Sequence, residues 1–238
     1  MVEIPVGVSA NNNVSAQHIQ ELLDQFRLAE QHCQPICFVA KNPGRFFCSG
    51  FDLAELIDLP EKQVAATFET FLMLARAIFH SPCRVGVLAN GHAVGVGAML
   101  ALAADRCVMQ QQAKLRFPEV QLGLGLFSDI VDLIRYRVAP AKAEIMLCDA
   151  VGLEAERAVQ LGLISGYYNQ PGELGNKGLL LNTVGPFNAA ANMKQLCRNG
   201  FLQSPVATQV DDFMRLWLSA ETQQSLHKFI ESTSSRTG

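Results

Sequence analysis

The chain has 238 residues, of which 49% are hydrophobic, and its formal net charge at pH 7 is −3. This length is sufficient for one large domain with a sizeable core, and the weak acidic charge excludes the basic footprint that nucleic-acid binding requires. The seven cysteines are irregularly spaced, which indicates a reducing compartment and no metal site. The sequence has no apolar run of membrane-spanning length and no signal-peptide pattern, so we expect a cytoplasmic protein without membrane insertion.

The first third of the chain alternates short apolar strands with amphipathic helices. Alternating apolar residues predict a strand over residues 2–8, and Ser15 is a suitable N-cap for the helix that follows. A buried strand is predicted at residues 36–40, and a helix start at Asp52. A long amphipathic helix is then indicated over residues 64–79, ending before Pro82.

The alternation continues through the middle of the chain and gives way to helices at its end. A short buried strand at residues 85–88 and a buried helix at residues 99–104 flank a glycine-rich turn. Further strands are predicted at 106–109, 114–117 and 163–168, with helices at 129–138, 140–147 and 154–161. Residues 169–185 are irregular, and three amphipathic helices follow at 186–198, 205–220 and 221–232. This order indicates an α/β fold of βαβ-type units with right-handed crossovers.

The glycine-rich turn at residues 90–97, N-G-H-A-V-G-V-G, joins a buried strand to a buried helix. The first N–H groups of such a helix are unpaired and point at whatever lies over the helix start. No P-loop lysine follows and no G-x-G-x-x-G is present, so a phosphate cradle is not indicated. Two interpretations remain, namely a tight turn for close strand–helix packing or a backbone donor for a developing oxyanion.

A second strand–turn–helix junction lies at residues 43–53, P-G-R-F-F-C-S-G-F-D-L, and the two junctions can each supply one N–H to the same carbonyl oxygen. Together with P-E-V-Q-L-G-L at residues 118–124, this order of motifs resembles the crotonase (enoyl-CoA hydratase/isomerase) superfamily. The resemblance covers residues 14–165 and continues more weakly to the C-terminus. It implies a crotonase-like spiral of repeated ββα units in residues 1–185 and a C-terminal helical trimerisation region in residues 186–238.

The resemblance also implies a catalytic arrangement. The oxyanion donors correspond to the backbone N–H groups of Ser49 and Val96, the latter a position that is usually glycine. Of the two glutamates that hydratases use, one corresponds to Glu119 and the other is replaced by Met99. One carboxylate is sufficient to take a proton from C2 and return it at C4, and an apolar side chain opposite disfavours water. Glu119 with Met99 therefore predicts an isomerase that converts a 3-enoyl to a 2-enoyl thioester.

Other residues are assigned on the same resemblance. The substrate-binding candidates are Phe51, Asp52, Leu53, Gly95, Met99, Phe127, Lys41 and Arg45. No separate cofactor is expected, because coenzyme A enters as part of the substrate. The basic residues usual near the C-terminus are largely absent, which leaves the carrier open between coenzyme A and an acyl carrier protein. Asp129 is a second candidate base, although its position favours a helix-start role, and His92 is expected to be structural.

Two rival functions stay open at this point. One is a hydratase, dehydratase or decarboxylase on a specialised acyl-CoA or acyl-carrier-protein thioester. The other is a non-catalytic acyl-CoA-binding protein of the same fold, which the Val96 departure favours and the presence of Glu119 opposes. The apolar composition and the resemblance also predict a homotrimer or hexamer, with an acyl-CoA thioester as the small-molecule partner.

Overall fold

The computed structural model describes residues 1–170 and 185–234, in which strands and helices alternate as the sequence predicts. The strands are β1 (Val2–Val6), β2 (Ile36–Ala40), β3 (Phe46–Cys48), β4 (Val85–Ala89), β5 (His92–Val94), β6 (Arg106–Gln110), β7 (Lys114–Arg116), β8 (Leu153–Glu154) and β9 (Gly166–Tyr168). The helices are α1 (Ala16–Gln31), α2 (Leu53–Asp58), α3 (Glu61–His80), α4 (Val96–Ala103), α5 (Ser128–Arg137), α6 (Pro140–Cys148), α7 (Ala155–Gln160), α8 (Phe187–Arg198), α9 (Val206–Trp217) and α10 (Ala220–Ser234). A short 3₁₀ helix spans Glu119–Leu122.

The strands form two sheets, and strands that follow one another in the chain join different sheets over most of the fold. One sheet has the order β1-β2-β4-β6-β9 and is parallel throughout, whereas the other has the order β3-β5-β7-β8 with only the last pair antiparallel. Each of the pairs β2–β3, β4–β5 and β6–β7 thus adds one strand to each sheet before the chain enters a helix. This is the spiral of ββα units that the sequence resemblance implies.

Helix α4 lies at the centre of the fold and is buried along its whole length. Its sequence, VGAMLALA, has no polar side chain, so only its backbone ends need partners. At the C-terminal end, Arg137 Nη2 donates to the carbonyls of Leu102 and Ala104 at 3.2 and 2.6 Å. A cation at this end also opposes the negative pole of the helix dipole. The N-terminal end is the glycine-rich turn.

The local structure differs from the sequence prediction at this turn. The predicted helix began at Met99, whereas α4 begins at Val96, and His92–Val94 form strand β5 where only a turn was expected. Three residues between two glycines are too few to show the alternation of a strand. The predicted irregular segment at residues 169–185 lies, except for its ends, outside the described residues.

The first C-terminal helix is held to the core by buried charges. Lys194 and Arg198 of α8 each lie 2.9 Å from Asp105, and all three side chains are almost fully buried. Burial lowers the pKa of Lys194 to about 8, an effect that Asp105 opposes. The outer face of α8 exposes two-thirds of Met193 and Leu196, 67% each. Trimerisation through this region stays a prediction. No helix within residues 1–170 and 185–234 is long and apolar enough to cross a membrane.

Candidate active site

The first turn of the site connects β3 to α2 and is fixed by backbone and carboxylate hydrogen bonds. Val14 N–H donates to Gly50 O, and Asp52 N–H donates to Val14 O, both at 2.9 Å. The Asp52 carboxylate accepts from Glu55 N–H at 3.2 Å and from Asn13 Nδ2 at 2.7 Å. Asp52 therefore caps α2 and holds the turn that contains Ser49 and Gly50.

The second turn connects β5 to α4 and requires glycine at its centre. Gly95 has φ of +53° and ψ of −116°, a combination that side chains disfavour. Its N–H donates to Arg116 O at 3.0 Å, and its carbonyl accepts from Met99 N–H at 2.9 Å. The first residue of α4 is therefore Val96, so its N–H belongs to the unpaired group at a helix start.

The two turns are in direct contact. A Cβ placed on Gly95 would lie 3.7 Å from Gly50 Cα, and one on Gly97 would lie only 2.7 Å from Cys48 Cβ. The N–H groups of Gly50 and Gly97 both point at the Cys48 thiol, and burial raises the pKa of that thiol to about 12.

The two predicted oxyanion donors are thus on adjoining turns. Within residues 1–170 and 185–234, the N–H groups of Ser49 and Val96 donate to no protein acceptor. Two unpaired donors on touching turns are what a shared carbonyl oxygen would need.

The carboxylate of Glu119 lies against the second turn. Its Oε1 is 3.3 Å from the place where a Cβ on Gly95 would stand. Its Oε2 is buried and has no hydrogen-bond partner among the residues that the structure describes. Burial raises the pKa of Glu119 to about 7, opposed by its own backbone N–H and by Arg116. A carboxyl group with a pKa near neutrality can both accept and return a proton.

The segment after Glu119 is held by hydrogen bonds within itself and to the last helix. Leu124 N–H donates to Glu119 O at 3.0 Å, and Gly123 adopts a left-handed conformation with φ of +74°. Thr222 of α10 donates its hydroxyl to Gly123 O at 2.8 Å. The C-terminal helices therefore help to position the predicted base.

Met99 lies one helical turn after Gly95 and is 4% exposed. The helix that carries it, α4, contains no acidic residue, so a second carboxylate is not available from this helix. The described geometry places one carboxylate, from Glu119, beside the second turn.

The remaining substrate-binding candidates fall into two environments. Phe51 and Phe127 belong to a cluster of aromatic rings, and Leu53 is partly buried against the core. Lys41 and Arg45 are exposed on the connection from β2 to β3, where the Arg45 guanidinium lies 5.4 Å from the centre of the Phe46 ring. Arg45 also borders a surface depression of about 260 Å³ together with His92. Neither basic side chain is brought to Glu119 by a described contact.

Asp129, the second candidate base, is occupied by structural partners. It lies in the first turn of α5 and is fully buried, with Arg76 Nε donating to Oδ2 at 2.6 Å and Arg76 Nη2 to Oδ1 at 3.1 Å. Gln209 Nε2 donates to Oδ1 at 3.0 Å, and Gln209 Oε1 accepts from Asp129 N–H at 3.0 Å. This polar node joins α3, α5 and α9. The sequence pattern did not reveal it, because its three members are far apart in the chain.

His92 has a structural environment, as expected from the sequence. Its Nδ1 accepts from Lys114 N–H at 3.0 Å, and its ring meets Phe46 edge-on at 5.6 Å. Burial, assisted by Arg45 and Lys114, lowers the pKa of His92, which favours the neutral ring that this hydrogen bond requires.

A sequence profile described as enoyl-CoA hydratase/isomerase matches residues 7–234. The chain belongs to this family. It is similar to the 2,3-dehydroadipyl-CoA hydratase of Escherichia coli, with 28% identity over 164 residues that cover 67% of this chain and 62% of that protein. It is also similar to the peroxisomal enoyl-CoA delta isomerase 2 of Arabidopsis thaliana, with 29% identity over 154 residues that cover 61% and 63% of the two chains. The matched stretches thus span about three-fifths of these relatives.

Solved structures share the fold of this family member over nearly its whole length. Human mitochondrial delta3-delta2-enoyl-CoA isomerase superposes with a TM-score of 0.85 at 19% identity, covering 98% of this chain and 92% of that one. The enoyl-CoA hydratase from Bacillus halodurans gives a TM-score of 0.83 at 22% identity and covers 92% of both chains. The crotonase-like fold predicted from the sequence motifs is confirmed.

Proposed function

We propose that this chain is an enoyl-CoA isomerase that moves a double bond from the 3- to the 2-position of an acyl-CoA thioester, with coenzyme A entering as part of the substrate. The observation that carries the proposal is the carboxylate of Glu119 beside the turn that begins α4, with its Oε2 buried and without a hydrogen-bond partner among the described residues. A protein that only binds acyl-CoA has no need for a desolvated acid with a pKa near 7, whereas proton transfer at neutral pH uses one.

The reaction divides between the two parts of the site. The thioester oxygen accepts hydrogen bonds from the N–H groups of Ser49 and Val96, which stabilise negative charge as it develops on that oxygen. Ionised Glu119 removes a proton from C2, and the electron pair of that C–H bond forms an enolate conjugated with the 3,4-double bond. Glu119 then returns the proton to C4, and the 2,3-double bond remains. No group other than the substrate and one carboxyl changes protonation.

Met99 favours isomerisation over hydration. Addition of water is served by a second carboxylate that holds the water, and α4 offers only the thioether of Met99 at the corresponding position. A hydratase is the second candidate function, because the similar curated proteins include a hydratase as well as an isomerase.

A panel of 3-enoyl-CoA and 2-enoyl-CoA substrates, assayed for both double-bond shift and hydration, tests the proposal. We expect a double-bond shift with little hydration, and a large loss of rate in Glu119→Gln with acyl-CoA binding retained. Val96→Pro deletes one oxyanion donor and should lower the rate by about a hundredfold or more. Hydration of a 2-enoyl-CoA at about ten per second, a typical enzymatic rate, contradicts the isomerase assignment. Unchanged turnover in folded Val96→Pro contradicts the role of that N–H.

A further inference from the structure

Six aromatic side chains meet beside the candidate active site and form what we call the aromatic wall: Phe51, Phe68, Phe71, Phe127, Phe213 and Trp217. The ring of Phe68 is at the centre, with its centroid 4.6 Å from that of Phe213 and 5.4 Å from that of Trp217. Phe127 stacks on Phe213 at 4.4 Å with an interplanar angle of 22°. These are the separations of directly packed rings.

The aromatic wall is connected to the catalytic groups from two sides. Phe51 directly follows Gly50 in the first turn, and its ring packs edge-on against Phe68 and Phe71 of α3 at 5.5 and 5.6 Å. Phe127 ends the loop that leaves Glu119, and its neighbour on the wall, Phe213, belongs to α9. The wall therefore spans from the turn that carries one predicted oxyanion donor to the loop that follows the predicted base.

The loop that follows Glu119 and its 3₁₀ helix has little freedom to move away from the wall. A Cβ on Gly125 would lie 2.8 Å from Leu216 Cδ1 of α9, and Gly123 is held by the Thr222 hydroxyl of α10. The polar node of Arg76, Asp129 and Gln209 fixes α3, α5 and α9 relative to each other. The loop and the helices that carry the rings are therefore held together by contacts outside the wall.

We infer that the aromatic wall limits the acyl group of the substrate to hexanoyl or shorter. The inference rests on the proposed function, since it assumes a thioester oxygen at Ser49 and Val96 with C2 to C4 beside Glu119. Carbon atoms beyond these would meet the rings of Phe51 and Phe127. Phe68 and Phe71 each pack against both of these rings, so close packing leaves no room there for further methylene groups. The substrates are accordingly short-chain enoyl thioesters, and Phe213, whose ring packs on both Phe68 and Phe127, holds the wall closed.

Binding of saturated acyl-CoAs, from butanoyl to dodecanoyl, measures this limit without requiring turnover. An open apolar channel would raise the affinity by about fourfold for each added methylene group. For the wild-type chain we expect that gain up to hexanoyl and no gain, or a loss, beyond it. Isothermal titration calorimetry gives the dissociation constants.

Two variants of one ring test whether the aromatic wall causes the limit. Phe213→Ala opens the wall most, and Phe213→Leu is the milder change should the alanine variant fail to fold. Phe26→Leu is the matched control, because Phe26, like Phe213, is a buried ring, but it stacks on Phe38 in another part of the core. We expect octanoyl- and decanoyl-CoA to gain at least tenfold in affinity in the Phe213 variants and to be unaffected by Phe26→Leu.

The outcomes separate the inference from the proposed function. A wild-type affinity that continues to rise from hexanoyl to decanoyl overturns the length limit, as does an unchanged profile in a folded Phe213 variant. If the binding profile is as expected but no enoyl-CoA undergoes a double-bond shift, the result contradicts the proposed reaction and supports the length limit. Absence of binding at every chain length overturns both.

Discussion

Replacing Glu119 by glutamine should stabilise the folded protein at alkaline pH while it removes activity. The carboxyl pKa is raised from its ordinary value of 4.5 to about 7 in the folded chain, because the group is desolvated. Between these pH values the folded chain keeps a proton that the unfolded chain has lost. The free energy of unfolding therefore falls as the pH rises through this window.

The size of the effect follows from the same two values. At about 1.4 kcal/mol per pH unit, the interval from 4.5 to about 7 corresponds to a loss of about 3 kcal/mol above pH 7 and no loss below pH 4.5. Glutamine is neutral at every pH. The free energy of unfolding of Glu119→Gln, relative to that of the wild type, should therefore be higher at pH 8 than at pH 4 by up to about 3 kcal/mol.

Urea unfolding of both proteins from pH 4 to pH 9 gives the two free energies of unfolding. Glu69→Gln, which changes an exposed carboxylate on α3, is the control for the substitution itself. A stability difference between Glu119→Gln and the wild type that does not change with pH would refute the reasoning, because it would mean that the Glu119 carboxylate is solvated in the folded chain.

Four further outcomes are expected. The kcat/KM of the wild type should rise through about pH 7 to a plateau, since Glu119 must be ionised to act as the base; a profile without this rise argues against it. Asp129→Asn should lower the free energy of unfolding by about 3 kcal/mol by breaking a buried pair with Arg76, and leave kcat within a few-fold; loss of kcat in the folded variant would make Asp129 the base. Met99→Glu should raise hydration relative to isomerisation, at some cost in stability, and an unchanged product ratio in a folded variant contradicts the role given to Met99. Light scattering at micromolar concentration should give the mass of a trimer or hexamer, and a monomer mass contradicts self-association.

The parts of the fold that local pattern determines were predictable from the sequence. Strand β2 has the predicted bounds, and α1 begins after Ser15, whose side chain accepts from His18 N–H as an N-cap. The periodicity of α3 also gave its core face, with Val64, Phe68 and Phe79 buried. These elements are long enough, or flanked by clear enough signals, for the pattern to show.

Other features depend on contacts between distant segments and have no local signal. Which sheet each short strand joins is decided by pairing across the chain, so the spiral came from the motif resemblance alone. Likewise, the motif placed Glu119 in the site, but only the tertiary structure shows that its Oε2 is buried and has no hydrogen-bond partner within residues 1–170 and 185–234. Asp129 was expected at a helix start and is found there, yet its main partner, Arg76, is 53 positions earlier in the chain.

Helix α9 makes two kinds of contact with its neighbours at different places along its length. Gln209 is hydrogen-bonded to Asp129, whereas Phe213 and Trp217, one and two turns later, pack against the rings of the aromatic wall. The hydrogen bonds hold the first turn of α9 to Asp129 of α5. If the aromatic wall limits the acyl group as inferred, specificity lies in the rings and the attachment of α9 lies in the polar node, so the acyl chains that this protein accepts can diverge in evolution with the node unchanged.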